Sequence, residues 1–310
     1  MTEENPSPVP GVKPGSFAAW CASFRPKTLG IAAAPVLVGL AVSAAVTHTF
    51  EVVVALATLA LSLLMQAISN MENDAGYTKR KAERASRKGL PRATANGWLT
   101  VAQVERMIKI LIGVVALDTI FLIWVGGWVM LAISVASVLA AYAYMGGPKP
   151  IAYTPWGEFV VFVFFGLVAV SGTAYLQTGL WQIEAILTGA ALGLIAAAVL
   201  AVNNYRDAEH DKEVGRRTLA VLLGKPAMVG VYSALVYFPY AVVAAAIVLN
   251  PSVAGLGLCL LSLPKSIKLV AELPLREGNE LNAVMFGTVK LELFFSLCLT
   301  VGGIVSILLF

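Results

Sequence analysis

Residues 182–211 read QIEAILTGAALGLIAAAVLAVNNYRDAEHD, an apolar stretch that ends abruptly in a polar and acidic sequence. The apolar part has about the 20 residues that an α-helix needs to cross the hydrocarbon core of a bilayer. Helices are the default spanning element, because lipid offers no hydrogen-bond partners to an exposed backbone. The stretch therefore predicts a membrane-spanning helix that carries a polar motif at one end.

The rest of the chain repeats this pattern. Of the 310 residues, 58 % are hydrophobic and 13 % are charged, and the mean hydropathy is +0.81. This charge content is about half that of a soluble domain. We therefore predict an all-α polytopic membrane protein with about nine transmembrane helices. The predicted spans are residues 28–47, 52–72, 101–123, 127–145, 157–179, 182–204, 227–249, 251–271 and 286–309.

The distribution of basic residues predicts the orientation. With nine spans, the N-terminus and every second connection lie on one side of the membrane, and all 22 lysines and arginines fall there. The connections on the other side hold neither residue type. Because basic residues favour the cytoplasmic side, residues 1–19 are predicted to be a short cytoplasmic tail. Residues 20–310 are predicted to form a single transmembrane domain.

Two of the predicted helices end in the same pattern, Asn-x-x-x-Asp. Asn70 and Asp74 end the second helix, while Asn203 and Asp207 end the sixth, with Asp211 four residues further on. Residues four apart lie on one face of a helix. Their carboxylate and amide oxygens are suitable ligands for Mg²⁺, whose coordination shell is commonly completed by substrate phosphates. If the two ends face each other, they predict a metal-bridged diphosphate site.

Basic residues surround both motifs in the predicted long connections, residues 75–99 and 207–225. Arginine suits bidentate contact with phosphate, and lysine acts as a point charge. The residues expected to approach the phosphate oxygens are Lys79, Arg84, Arg92, Lys149, Arg206, Lys212 and Arg217.

Alternatives to a metal–anion site are simpler. A single charged residue at a helix end is ordinarily solvated, and the basic residues alone would serve topology. The paired Asn/Asp ends are different, because ionisable groups at membrane depth are costly and mark functional sites. A transporter would place polar residues near the bilayer midplane, whereas the mid-helix stretches here are nearly free of charge. A CDP-alcohol phosphotransferase would carry an Asp-Gly-x-x-Ala-Arg signature, which this chain lacks.

Several short pieces, in order along nearly the whole chain from Trp20, resemble the UbiA superfamily of intramembrane prenyltransferases. Residues 203–219 and the opening Arg-Pro-Lys-Thr-Leu favour its menaquinone branch. The chain departs from the family at Met71, where members often have Asp, so the first metal site is expected to be leaner than the second. The pieces that carry the resemblance are residues 25–29, 70–74, 90–93, 147–150, 157–158, 164–166, 203–219 and 281–282, with Gly97 and Thr288.

The resemblance implies a reaction. Members of this branch transfer a polyprenyl group from an allylic diphosphate to 1,4-dihydroxy-2-naphthoate, with Mg²⁺ and with loss of CO₂, to give demethylmenaquinone. The implied partners are polyprenyl diphosphate, 1,4-dihydroxy-2-naphthoate and the lipid of a bacterial inner membrane, without a nucleic acid. The alternative within the superfamily is another aromatic acceptor, such as 4-hydroxybenzoate or homogentisate.

The resemblance also implies residue roles. The metal set is Asn70, Asp74, Asn203, Asp207 and Asp211. The catalytic residues are Asp74, Asp207, Asp211 and Lys149. The candidates for diphosphate contact are Arg92, Lys149, Arg206 and Lys212. Arg25 and Lys27 would meet either the diphosphate or the acceptor carboxylate. The candidates on the acceptor side are Tyr153 and Glu158.

Overall fold

The computed structural model describes residues 12–79, 92–145 and 150–310. Within those ranges the chain forms helices and turns and contains no strand. The α-helices are α1 (Phe17–Phe24), α2 (Pro26–Thr47), α3 (Val52–Lys79), α4 (Val101–Met145), α5 (Gly157–Val161), α6 (Ala169–Thr178), α7 (Ile183–Glu213), α8 (Leu219–Leu249), α9 (Leu263–Glu272) and α10 (Leu281–Leu309).

Eight helical segments in this part of the chain are long and apolar enough to cross a membrane. The polytopic α-helical fold is therefore confirmed, and the count differs from the predicted nine at one place. The predicted spans 101–123 and 127–145 form one element, α4, which has 45 residues. A straight helix of this length would extend about 68 Å, roughly twice the hydrocarbon thickness. Gly127 interrupts it with a non-helical backbone (φ 62°, ψ −151°), at the break that the sequence indicated.

Helices α3 and α7 are longer than predicted. They continue to Lys79 and Glu213, beyond the predicted ends at residues 72 and 204. The predicted long connection 207–225 was wrong, because only residues 214–218 separate α7 from α8. Hydropathy detects only the apolar part of a helix, whereas Glu, Lys and Arg are also good helix formers. The Asn/Asp motifs consequently lie within helices, where the backbone fixes the direction of each side chain.

Two of the predicted spans contain irregular helix. Between α5 and α6, residues Phe162–Val168 form a π-helical segment. The predicted span 251–271 begins as a 3₁₀-helix, Pro251–Ser262, before α9. π-Helical segments are rare and recur at functional sites. Shorter 3₁₀ segments lie at Ile151–Tyr153, Leu273–Leu275 and Gly278–Glu280.

Glycines allow neighbouring backbones to approach closely. A Cβ at Gly166 in the π-helical segment would lie 2.3 Å from the Cα of Gly193 in α7. A Cβ at Gly255 would lie 2.2 Å from the carbonyl oxygen of Gly302 in α10. Small residues at helix interfaces are typical of membrane proteins. The Gly189–Gly193 pair of α7 packs closely against residues 162–170 in this way.

The chain divides into two compact units, each with its own apolar cluster. The first comprises residues 1–32 and 59–121, and its described part packs Ala19 of α1 against Met71 of α3 and Trp98. The second comprises residues 33–58 and 122–310. Its core gathers around α7, and its largest fully buried side chains include Leu192, Ile195, Tyr232, Leu256 and Phe295.

Replacing Gly193 by alanine should destabilise the protein. Its Cβ would lie 2.5 Å from the carbonyl oxygen of Phe162, closer than real Cβ contacts, so a backbone must shift. Overpacking of this kind costs about 1–3 kcal/mol. Thermal unfolding in detergent measures the effect. Gly230→Ala is the matched control, because nothing lies within 4 Å of the added Cβ. Equal midpoints for the two variants would contradict the close approach.

Candidate active site

In the first unit, Asn70 holds the junction between α1 and α2. Its Nδ2 donates to the carbonyl oxygen of Phe24 at 2.8 Å and to Oγ1 of Thr28 at 2.9 Å. Arg25, between these two residues, adopts a left-handed backbone (φ 52°) that ends α1. The buried Asn70 therefore fixes the chain on both sides of the Arg-Pro-Lys sequence. Among the described residues, its own amide oxygen accepts one long bond of 3.3 Å, from Nε2 of Gln66.

Asp74 lies one turn further along α3 and is fully buried. Its Oδ1 accepts two bonds from Thr94, from the backbone N–H at 3.2 Å and from Oγ1 at 2.8 Å. Thr94 follows the buried Arg92 in the turn before α4. The second oxygen, Oδ2, is buried without a hydrogen-bond partner among residues 12–79, 92–145 and 150–310. A bare buried carboxylate oxygen is costly, and it is the kind of group that a cation would stabilise.

In the second unit, α7 runs unbroken through the other motif. Asn203, Asp207 and Asp211 lie on one broad face of the helix, although they are not aligned with one another. A helix turns by about 100° per residue, so Asp207 is rotated by about 40° from Asn203 and Asp211 by about 80°. By the same count, Asp211 is only about 20° from Asn204. The motif consequently divides into two sets of contacts.

The first set is built around Arg206. Its Nε donates to Oδ1 of Asp207 at 2.8 Å, and its Nη2 donates to Oδ2 at 2.7 Å. Nη2 also donates to Oδ1 of Asn203 at 2.9 Å, and Nη1 donates to Oδ1 of Asn282 in α10 at 2.6 Å. The guanidinium thus binds all three side-chain oxygens of Asn203 and Asp207. The side chain of Asp207 is 37 % exposed, so this cluster is reachable from outside the protein.

The second set is built around Asp211, whose side chain is only 2 % exposed. Arg216, in the connection after α7, donates from Nη1 to Oδ1 of Asp211 at 3.1 Å. Its guanidinium carbon also lies 4.5 Å from the centre of the Tyr153 ring. Partial burial acts to lower the pKa of Arg216, but its contacts with Tyr153 and Asp211 outweigh burial and raise the pKa. Asp211 therefore faces a permanent positive charge.

Glu158 and Asn204 form a buried pair beside these sets. Nδ2 of Asn204 donates to Oε1 of Glu158 at 2.9 Å, which links α7 to the start of α5. Only 6 % of Glu158 is exposed. Its Oε2 is buried and has no hydrogen-bond partner in the described part of the chain. A hydroxyl or ammonium donor would satisfy this oxygen.

The structure gives less information on the other residues that the sequence predicted for the site. Lys149 and the side chain of Lys27 lie outside what the structure describes. Lys212 is exposed near the end of α7. Sequence reasoning assigned no role to Thr94, Asn282 or Arg216. Asn282 belongs to one of the resembling pieces and begins a helix next to a hydrophobic run, which could have drawn attention to it.

The described oxygen ligands fit the kind of Mg²⁺ site in which water and substrate phosphates complete the coordination shell. No group of three or more His, Cys, Asp or Glu side chains converges among the described residues, so a metal cage made entirely of protein side chains is not present there. Mg²⁺ is ordinarily held by one or two carboxylates, with water and substrate phosphates completing the shell. Asp207 with Asn203, and the bare Oδ2 of Asp74, supply hard oxygen ligands of this type.

Comparison with known proteins adds the family. The model of the UbiA prenyltransferase family matches residues 32–305. The chain is 36 % identical over 213 residues to the 1,4-dihydroxy-2-naphthoate octaprenyltransferase of Escherichia coli (strain K12), covering 67 % of this chain and 69 % of that protein. It is 28 % identical to the protein of the same name from Bacillus subtilis (strain 168), over 91 % of both chains.

A solved structure shares the fold. The apo structure of a UbiA homolog from Aeropyrum pernix K1 superposes with a TM-score of 0.64 and 16 % identity, covering 90 % of this chain and 98 % of that one. The family match over residues 32–305 and the relative with 36 % identity determine the classification, and the shared fold agrees with it. The chain belongs to the UbiA prenyltransferase family.

Proposed function

We propose that this protein transfers a polyprenyl group from an allylic diphosphate to 1,4-dihydroxy-2-naphthoate, with Mg²⁺ and with loss of CO₂, giving demethylmenaquinone. The observation that carries the proposal is the cluster of Asn203, Arg206 and Asp207, which combines oxygen ligands for a metal with a guanidinium for phosphate. The names of the bacterial relatives support naphthoate as the acceptor. The charge distribution supports an inner-membrane protein with this end of α7 on the cytoplasmic side.

Each of the two motifs offers oxygen ligands for a metal that accompanies the diphosphate. Mg²⁺, when bound, neutralises the departing diphosphate and so favours ionisation of the allylic C–O bond. We assign the oxygens of each motif to metal binding, with Asp74, Asp207 and Asp211 as the carboxylates. The basic residues proposed for direct contact with the diphosphate are Arg92, Lys149, Arg206 and Lys212.

The acceptor side uses the buried pair of Glu158 and Asn204. The bare Oε2 of Glu158 would accept a bond from a phenolic hydroxyl of the acceptor, and Asn204 holds the carboxylate in place. A hydrogen bond to a carboxylate increases the electron density of a phenol ring, which favours attack on the allylic cation. Tyr153 precedes Glu158 closely on the chain and is the proposed aromatic contact. Arg25 and Lys27 remain proposed partners of the diphosphate or of the acceptor carboxylate.

The proposed prenyl transfer can proceed without a strong base in the protein, as the bonds that break and form show. The allylic C–O bond breaks and leaves its electron pair on the diphosphate. A ring carbon of the acceptor then forms the new C–C bond with the allylic cation. When that carbon bears the carboxylate, CO₂ leaves and its electron pair restores the aromatic ring. The protein therefore needs groups that hold the two substrates and exclude water more than it needs a proton acceptor.

Product analysis tests the proposed reaction. Purified protein with Mg²⁺, a polyprenyl diphosphate and equal amounts of 1,4-dihydroxy-2-naphthoate, 4-hydroxybenzoate and homogentisate should release CO₂ and yield prenylated naphthoquinol. Mass spectrometry of the lipid extract identifies the product. A prenylated 4-hydroxybenzoate or homogentisate as the main product would overturn the naphthoate assignment and leave prenyl transfer intact.

Asp207→Asn should abolish turnover, with a fall of at least about 100-fold, which is the scale of losing one electrostatic group at the reacting centre. The substitution keeps the size of the side chain but removes a charged ligand and the partner of Arg206. Turnover and thermal unfolding are measured together. Glu209→Gln is the control, because Glu209 is an exposed acid of the same helix, α7, and pairs with Lys225 of α8. A near-normal rate in folded Asp207→Asn would remove the metal role of this motif.

A further inference from the structure

Arg206 occupies the oxygens that the metal proposal requires. Both oxygens of Asp207 and the amide oxygen of Asn203 accept bonds of 2.7–2.9 Å from its guanidinium. Mg²⁺ binds oxygen ligands at about 2.0–2.1 Å in a near-octahedral shell. Each of these oxygens keeps a further lone pair, so a metal could still reach it, but the metal would then lie next to the positive charge of the guanidinium. Repulsion between the two cations therefore favours a metal-bound state in which Arg206 has moved away.

Displacement has a cost unless the guanidinium finds a new anion. Its side chain is only 22 % exposed, and Nη1 is held by the amide oxygen of Asn282, with the Met285 sulfur 3.7 Å away. Removing the counter-ion of a partly buried charge is strongly unfavourable. A diphosphate that arrives with the metal supplies that anion, and arginine forms bidentate contacts with phosphate as well as with carboxylate.

We propose that Arg206 is an exchange residue, which releases Asn203 and Asp207 when Mg²⁺ and a diphosphate bind together and then takes oxygens of the diphosphate. This inference rests on the proposed metal and diphosphate role of the motif, although not on the identity of the acceptor. It makes binding of the divalent cation alone weak and binding of the cation with diphosphate cooperative. Arg206 acts here as a positioning residue that makes the motif selective for the metal–diphosphate pair over the free metal.

The two carboxylates of the motif differ in a way that fits this role. Asp211 is 2 % exposed and its arginine, Arg216, also stacks on Tyr153, so that pair has several fixed partners. Asp207 is 37 % exposed and lies where an incoming ligand can reach it. Asn282 of α10 accepts a hydrogen bond from Nη1 of Arg206, which helps to keep the guanidinium on Asn203 and Asp207 until a diphosphate offers new acceptors.

Equilibrium dialysis of purified protein against Mn²⁺, a spectroscopic substitute for Mg²⁺ among oxygen ligands, tests the inference without turnover. Dialysis is done with and without inorganic diphosphate, on wild type, Arg206→Gln and Arg276→Gln. Arg276→Gln is the matched control, because it removes one exposed arginine that pairs only at the surface with Glu280. Asp207→Asn identifies the share of bound Mn²⁺ that belongs to the motif.

The wild type should bind Mn²⁺ weakly alone and on the order of tenfold more tightly with diphosphate, the scale of one hydrogen bond to a charged group. Arg206→Gln should bind Mn²⁺ alone on the order of tenfold more tightly than wild type and lose most of the enhancement by diphosphate. Arg276→Gln should behave as wild type. Unchanged or weaker binding of Mn²⁺ alone by folded Arg206→Gln overturns the exchange role.

Asn282→Ala keeps the test decisive if Arg206→Gln does not fold. Loss of the 2.6 Å anchor should loosen Arg206 and also tighten the binding of Mn²⁺ alone. No tightening in folded Asn282→Ala would then reject the inference. Prenyl transfer measured on the same wild-type preparation separates the two claims. If the enzyme is active but Mn²⁺ binding is not cooperative, the exchange role of Arg206 is rejected. If Mn²⁺ binding is cooperative but no prenylated naphthoquinol forms, the proposed reaction is rejected.

Discussion

The structure depends on one constraint, which is that polar side chains placed on apolar helices must find their partners within the protein. Lipid supplies no hydrogen bonds, and an unpaired charge at membrane depth is expensive. At the polar end of α7 the constraint is met by three pairings, Arg206 with Asp207, Arg216 with Asp211, and Asn204 with Glu158. Asp211 and Asn204 tie α7 to the connection after it and to α5, and Arg206 ties it to α10 through Asn282, so the contacts of these polar groups also fix the geometry of the site.

The two Asn/Asp motifs meet this constraint in different ways. In the first unit, Asn70 and Asp74 are buried and hold the backbone around residues 24–28 and the turn at Thr94. Met71, where family members often have Asp, is fully buried in the apolar cluster with Ala19 and Trp98. An acid at this position would be buried among apolar side chains without a polar partner, which is a physical reason for the leaner first motif. The second motif is more exposed and is built from charged pairs.

Much of the fold could be predicted from the sequence, because lipid imposes a strong length requirement on apolar segments and basic residues mark one side. Even the break at Gly127 was visible. The extent of α3 and α7 was not, since hydropathy stops where polar helix begins. The separate partners of Asp207 and Asp211 were not visible either. Each four-residue step overshoots a helical turn by about 40°, so Asp211 lies about 80° around α7 from Asn203.

The partners of the site residues could not be predicted at all. Thr94 is 20 residues from Asp74, and Asn282 is 76 residues from Arg206, so only the folded chain brings them into contact. The prediction that Arg206 contacts diphosphate stays untested by the fold, which shows the guanidinium on the acid of its own motif. The exchange proposed above would reconcile the two, because a guanidinium that first neutralises Asp207 is already beside the place where a metal-bound diphosphate would lie.

The most direct measurement is an experimental structure of the protein with Mg²⁺ and a non-reactive polyprenyl thiodiphosphate. The account predicts an ion within about 2.1 Å of oxygens of Asn203 and Asp207, with Arg206 moved from the carboxylate onto a phosphate oxygen. Arg206 still bonded to both oxygens of Asp207, with the metal and diphosphate bound elsewhere, would contradict it.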